Sequence, residues 1–434
     1  MHTPHLVIIG GGFGGLATAQ ALASTKLRVT LVDRRNHHLF QPLLYQVATA
    51  SLAPTDISVP IRAVLSKEQQ VSVRLGEVES IDPQARKVHL RGQTGQDTLD
   101  YDYLVVATGV RHAYFGHPEW SEDAPGLKTV ADALEIRRRV LTAFEQAEWE
   151  QDPKARERLL TFVVVGGGPT GVELAGALAE ISVNTLRKDF RNIDTRQARV
   201  LLVEAGPSLL GAFDPELQEE AKTELSALGV ELRFGTPVTQ VTSAGVRIGE
   251  DMLPAATVLW AAGVSAGALL EPLGERDRAG RVMVAPDCSV PEHPNVFVIG
   301  DAAHLKQADG VVVPGLAPAA VQMGRHAARC IEADLAGKER RAFAYRDKGS
   351  MATIGRNKAV LQSGKVRMSG RLAWLAWVFV HLWELVNFRD RVSVFLKWAW
   401  AWWTWDRAGR LLWDPHEGEA PQRTPDQDQH RGAA

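Results

Sequence analysis

The chain has 434 residues, a formal net charge of −2 and 45% hydrophobic residues, enough for two to three globular domains and without the basic excess of a general nucleic-acid binder. Its two cysteines, Cys288 and Cys330, stand far apart without CxxC spacing, which argues against a disulfide framework and points to a reducing, cytosolic setting. Trp is the outlier, because nine of the twelve lie between Trp374 and Trp413.

The first predicted element is the apolar run Leu6 to Ile9, too short for an export signal, which leads straight into VIIGGGFGG. There Gly10, Gly12 and Gly15 follow a strand and open an Ala-rich helix, a pattern that turns backbone amides and a positive helix end toward a pyrophosphate. The next strand, RVTLV, ends at Asp33, where a carboxylate can accept both hydroxyls of a ribose. In the loop RRNHHLFQPLLYQVATA, His37 and His38 are expected to be exposed and without a catalytic role. The hairpin VSVRLGEVESIDPQARKVHL follows, and then a strand from Tyr103 to Ala107 that ends in Thr108 and Gly109, small enough to let the backbone approach a cofactor.

A polar connection through Pro118 and Pro125 leads into a helix over ADALEIRRRVLTAFEQAEWEQ, after which the opening pattern repeats. The strand Phe162 to Val165 precedes Gly166, Gly168 and Gly171 in VVVGGGPTG, and RVLLV ends at Glu204. Paired loops with paired acids predict two dinucleotides in one chain. Glu173 is expected in the first turn of the second helix, where a carboxylate gains roughly 0.3–1 kcal/mol from the helix dipole. After Gly263 the strand of NVFVIGDAAH ends in Gly300 and Asp301, and a helix begins near Ala317; both are assigned back to the first unit, so the second is expected to be inserted in it. The expected boundaries are residues 1–115 and 265–336 for the split domain, 116–264 for the inserted one, 337–416 for a C-terminal anchoring region and 417–434 for a disordered tail.

Helices are expected over Arg371 to Asn387 and Arg391 to Trp405, polar only along His381, Glu384 and Asn387 and along Ser393, Lys397 and Thr404. Charges interrupt the ~20-residue apolar run that a spanning helix needs. Flanked by Arg371, Arg389, Arg391, Lys397, Arg407 and Arg410, the pair suits an anchor lying on anionic headgroups. A buried hairpin or an oligomer interface is the alternative.

Taken together, VIIGGGFGGLATAQAL, HHLFQPLLYQVATA, LVVATGV, VVVGGGPTGVELAGALAE, LVEAGPSLL, LWAAGV, VFVIGDAAH and the Trp-rich helices resemble the type II NADH dehydrogenases over nearly the whole chain. These are single-chain NADH:quinone oxidoreductases of the two-dinucleotide-binding flavoprotein superfamily. The resemblance implies an α/β fold of two Rossmann-like domains, the NADH domain inserted in the FAD domain, with a C-terminal amphipathic helical membrane anchor. It implies FAD at the first loop, NADH at the second and electrons leaving to a membrane quinone. The protein would lie on the cytoplasmic face of the cell membrane, without proton pumping, as a possible homodimer.

By the same resemblance Asp33 would hold the adenosine ribose and Asp301 the flavin ribitol. Glu173 would touch the nicotinamide end and relay protons, while Gln322 would contact quinone. Many members carry two Gln at the start of that helix; here Pro318 takes the earlier place. Gln41, Pro42 and Gln46 would neighbour flavin or quinone. The resemblance adds Gly14, Arg34, Gln41, Val78, Ala107, Val321, Thr170 and Gly263 to the cofactor-binding set. Glu204 would repel a 2′-phosphate, favouring NADH over NADPH. No metal is expected, since His293 and His304 lack ligand spacing. Disulfide reductases of the superfamily need a close Cys pair that Phe40 to Ala50 does not contain. Competing expectations are a sulfide:quinone or related flavoprotein reductase, or an NADH-binding flavoprotein redox sensor resembling apoptosis-inducing factor.

Overall fold

Buried strands alternate with helices from the start of the chain, and the computed structural model describes residues 3–22, 25–405, 407 and 409–412. Trp413 and the tail expected at 417–434 lie outside the described residues. Strand β1 (His5–Ile9) is buried at all five positions, as a parallel strand covered on both faces must be. Its one polar side chain, His5, is satisfied by the Asp100 carbonyl at 2.6 Å and the Thr30 hydroxyl at 2.8 Å. Helix α1 (Phe13–Ala21) and strand β2 (Arg28–Asp33) complete the first crossover. The expected hairpin is β3 (Val71–Asp82) and β4 (Lys87–Gly92), extended by β5 (Gly95–Asp100), before β6 (Tyr103–Val106) returns to the middle of the sheet.

Strand β7 (Arg111–His112) leads out to α2 (Val130–Trp149), whose start is fixed by a capping box of Thr129 and Asp132. Then come β8 (Thr161–Val165), α3 (Pro169–Glu180), β9 (Arg199–Glu204), β10 (Val230–Phe234) and β11 (Thr257–Trp260). Strand β12 (Val264–Ser265) pairs antiparallel with β7, so the outgoing and returning connections cross side by side. Strands β13 (Ser289–Val290) and β14 (His293–Val298) and helix α4 (Ala317–Leu335) follow.

One sheet has the order β13-β14-β6-β1-β2-β3-β4-β5 and another the order β10-β9-β8-β11. Leu6 pairs with Tyr103 and Val296 with Leu104, all parallel, so residues beyond 289 finish a sheet begun at residue 5. The second sheet is made wholly of residues in between. Helices α1 and α4 cross at two glycines: a Cβ on Gly324 would run into the Gly14 carbonyl, and the Thr18 hydroxyl reaches the carbonyls of Gly14 and Gly324 at 2.9 and 3.1 Å.

The charged stretch after α4 leads to a small antiparallel sheet that its composition does not announce: β15 (Ser350–Gly355), β16 (Lys358–Ser363) and β17 (Val366–Ser369). Strand β15 lies directly on α3, where a Cβ on Gly176 would stand 2.7 Å from the Ile354 carbonyl. Helices α5 (Gly370–Glu384) and α6 (Phe388–Thr404) begin and end within three residues of their predicted bounds.

Parts of their polar stripes, however, engage the rest of the protein, while Glu384 stays exposed beside Lys348. Lys397 Nζ lies 2.6 Å from Asp56 Oδ1, Ser393 reaches the same oxygen at 3.2 Å, and His381 stacks on Trp377 with ring centres 4.2 Å apart. The outward face carries Leu372, Leu375, Phe379 and Trp383 on α5 and Phe388, Phe395, Trp400 and Trp403 on α6, each more than half exposed. The expected basic flank is correspondingly reduced. Lys397, Arg407 and Arg410 pair with Asp56, Glu180 and Asp189, Arg389 pairs with Asp390 and Arg391 donates to the Leu385 carbonyl, while Lys397, Arg371 and Arg389 stay exposed. Among the described residues no helix is long and apolar enough to cross a membrane.

Candidate functional site

The two glycine loops are built alike. Gly10 (φ +103°) and Gly166 (φ +112°) turn in the left-handed region, and a Cβ on either would press on the backbone of Ala107 or Ala261 at the next strand's end. Gly15 and Gly171, in the first turns of α1 and α3, have no room for a side chain, because a Cβ would collide with the carbonyl of Gly10 or Gly166. Gly12 and Gly168 face open space with nothing within 4 Å, the clearance a pyrophosphate needs against bare helix amides.

Each loop also fixes its acid. Asp33 accepts from the Gly11 amide at 2.6 Å and the Arg35 amide at 2.7 Å; Glu204 accepts from the amides of Gly167 and Gly206, both at 2.6 Å. An ionised carboxylate offers about four lone-pair positions, so each acid is held rigid by two amides and keeps two positions for ribose hydroxyls. Open cradles, orphan amides and clamped acids fit one dinucleotide at each loop.

Around the first loop the start of α4 abuts Gly14 and Gly300, with the Ala320 carbonyl 3.2 Å from a Cβ built on Gly14. Pro318 sits in the first turn, where its missing N–H costs nothing. Thr108 is exposed, Gly109 turns at φ +65° with open space beside it, Val78 is half-buried on β3, Gln41 opens a short 3-10 turn, and Arg34 is exposed. Burial pushes the Asp301 carboxyl above its ordinary range, against the pull of Lys128 and Arg281. The same burial pushes the Lys128 ammonium down while Asp301 draws it back up. Lys128 is the enclosed cation near Asp301 that sequence reasoning missed, because a lysine in a polar connection reads as surface.

The Gln322 amide donates to the Arg346 carbonyl and accepts from the Arg346 amide, both at 3.0 Å, so it clips the following chain onto α4 and keeps one N–H and one acceptor position besides. Glu173 is a correction: no acidic residue lies in the first turn of α3, and Glu173 sits one turn deeper. Part of its surface stays accessible, yet enough protein surrounds it that burial pushes its carboxyl up to about 8, opposed only by a 3.4 Å bond from the Thr353 amide. At pH 7 it is a neutral acid holding a proton.

A polar chain runs from that acid to the Trp-rich helices. Thr353 Oγ1 shares a hydrogen bond with Tyr45 at 2.9 Å, Gln46 donates to Tyr45 at 3.1 Å, and Trp398 of α6 donates to Gln46 at 2.7 Å. At the end of α3 the buried Glu180 receives the buried Arg407 Nη2 at 3.0 Å and the Arg356 amide. The chain beyond α6 is threaded between the two domains: Arg407 also reaches the Thr49 carbonyl, and the Gly409 amide donates to Ala50 at 3.2 Å.

His38, expected to be exposed, is buried. Its Nδ1 lies 3.2 Å from the Gly11 carbonyl and burial pushes its pKa down, so it buttresses the first loop. Cys288 and Cys330 are core residues whose thiols burial pushes up. Among the described residues no group of three or more His, Cys, Asp or Glu is placed to hold a metal. Thr170 and Gly263 are exposed beside the second loop, and Val321 is half-buried on α4.

The family described as pyridine nucleotide-disulphide oxidoreductase matches residues 4–324. Over 409 residues the chain is 45% identical to the type II NADH:quinone oxidoreductase Ndh of Mycobacterium tuberculosis, covering 91% of this chain and 87% of that one. It is 44% identical over 409 residues to NdhA of the same organism, covering 91% and 86%. The structure of NDH2 from Plasmodium falciparum in complex with NADH matches with a TM-score of 0.88 over 95% of this chain and 100% of that one, at 19% identity, a likeness of fold.

Proposed function

The chain belongs to the pyridine nucleotide-disulphide oxidoreductase family and, within it, to the type II NADH:quinone oxidoreductases, and on that premise we propose that it oxidises NADH at the expense of a quinone, with FAD at the first loop and NADH at the second. The observation that carries this is the twinned loop, in which two open cradles each face an acid held by two amides. FAD, when bound, would accept one hydride, that is two electrons with a proton, and pass the two electrons on.

The protein's own residues bind, orient and hold protons. Gly10, Gly12, Gly14 and Gly15 leave room for the first dinucleotide, Asp33 takes its ribose, and Asp301 with Lys128 lines the flavin side. Gly166, Gly168, Thr170 and Gly171 do the same for NADH, and Glu204 selects a free 2′-hydroxyl because a phosphate there would meet a fixed negative charge. Glu173, protonated at neutral pH, serves as the proton donor nearest the Tyr45 and Gln46 chain. The outward apolar faces of α5 and α6 rest on the cytoplasmic lipid surface as a monotopic anchor, so that a quinone's isoprenoid tail stays in hydrocarbon while its ring reaches the site. The large exposed apolar side chains of both helices, with Ser393 and His381 engaged by the protein behind them, support this reading.

Anaerobic titration of the FAD-loaded protein tests the proposal. NADH should bleach the flavin absorption, added membrane-extracted quinone should restore it, and sulfide should leave it unchanged. Bleaching that no quinone reverses would favour a redox sensor instead.

A further inference from the structure

Phe115 belongs to neither glycine motif, yet its setting is unusual. Its side chain is 67% exposed, while its backbone sits at φ +51° and Gly116 follows at φ +94°. An L-residue in the left-handed region is held there only where the surroundings over-determine it. Here they do. Trp260 Nε1 donates to the Ala113 carbonyl at 2.9 Å, the Ala113 amide meets the Gly263 carbonyl at 3.4 Å, and Tyr114 stacks on Trp260 with ring centres 5.1 Å apart. The tip of the Phe115 ring thereby lies over Gly263, where a Cβ would meet its Cζ at 2.5 Å and its Cε1 at 3.1 Å. Apart from that contact and a tilted approach to Trp260, with ring centres 6.2 Å apart, the ring is largely exposed.

The topology says what that face looks toward. Strand β8 ends in the glycine loop, β9 on one side ends in Glu204, and β11 on the other ends at Trp260, three residues before Gly263. A dinucleotide across such strand ends puts its adenosine ribose on the acid and its pyrophosphate on the loop. The remaining half then extends over β11, toward Phe115.

We infer that Phe115 is the apolar shelf against which the nicotinamide half of NADH is set, a positioning residue for the hydride donor. The inference rests on the assignment of NADH to the second loop. A phenyl ring suits the task because it offers a flat, offset-stacking face with little rotamer freedom to lose. The strained backbone aims that face, and Gly263 is bare so that the ring can lie close.

Steady-state kinetics of the FAD-loaded enzyme with Phe115→Ala, Phe115→Gly and Phe115→Trp test it. Phe115→Ala should raise the KM for NADH about tenfold, leaving the KM for quinone and the flavin content unchanged, and Phe115→Trp should restore it. Phe115→Gly relaxes the backbone, so it should melt no lower than wild type while showing the same rise in KM. An unchanged KM for NADH in folded Phe115→Ala and Phe115→Gly overturns the inference while leaving the NADH assignment standing. Failure of NADH to bleach the wild-type flavin overturns the assignment itself, and the inference with it.

Discussion

The two nucleotide loops share a turn, a clamped acid and a glycine that admits no side chain, but the helices leaving them have different neighbours. Helix α1 meets α4 through Gly14, Thr18 and Gly324, so the first loop is braced by a distant part of its own domain. Helix α3 meets β15 through Gly176 and the last described turns of the chain through Glu180. A glycine fingerprint therefore specifies a pocket, whereas residues one to three turns further along specify what the pocket is mechanically joined to. The first is joined to itself, and the second to the end of the molecule that carries α5 and α6.

The largest expected effect breaks the loops one at a time. Gly15→Ala should yield protein without flavin, read as visible absorption per chain. Gly171→Ala should keep the flavin but lose saturable reduction by NADH. If either change removes both properties, the loops are not independent and the comparison fails.

Next comes Arg407→Ala, which leaves Glu180 buried with the Arg356 amide alone. Loss of one partner from a buried pair costs about 3–5 kcal/mol, so a clear fall in the melting temperature is expected. Reduction by NADH should suffer more than flavin content, because the pair braces α3 and not α1. Equal loss of both would say that α3 owes nothing to the C-terminal turns.

The smallest effect concerns the acid on α3 that has no counterpart on α1. The Glu173 carboxyl titrates at about 8 in the folded protein against an ordinary 4.5, so between those values the folded state binds a proton that the unfolded state does not. Its contribution is therefore most favourable in acid and is lost as pH rises through about 8. Quinone turnover should fall above that pH by up to about tenfold per unit, while flavin reduction by NADH stays flat. Glu173→Gln should abolish the pH step in turnover and melt higher than wild type in alkali. A step that persists in Glu173→Gln assigns the proton to another group.

Much of this was legible in the residues, for a physical reason in each case. Buried parallel strands such as β1 and β8 are continuous apolar runs, glycines mark backbone that tolerates no Cβ, and acids at strand ends mark the carboxylates that the loop amides clamp. The bounds of α5 and α6 follow from their periodicity. Periodicity tells which side chains share a helix face but not which face is inside, so the contacts of Lys397 and Ser393 with Asp56 were hidden. Lys128 and His38 look like surface residues until long-range packing encloses them, and Gln322 looks unengaged until Arg346 folds back on it. The depth of Glu173 turns on where α3 begins, and helix starts are the least certain part of any pattern.

The strand order carries a consequence for synthesis. The residues of the second sheet are contiguous, so that domain can close while the ribosome is still translating. The first cannot, because β6 has no partner on its outer edge until β14 emerges. At about 5–20 residues per second the wait is roughly ten to forty seconds. For that interval an unfinished apolar edge is exposed beside a finished neighbour, and a nascent-chain chaperone would find it at β6.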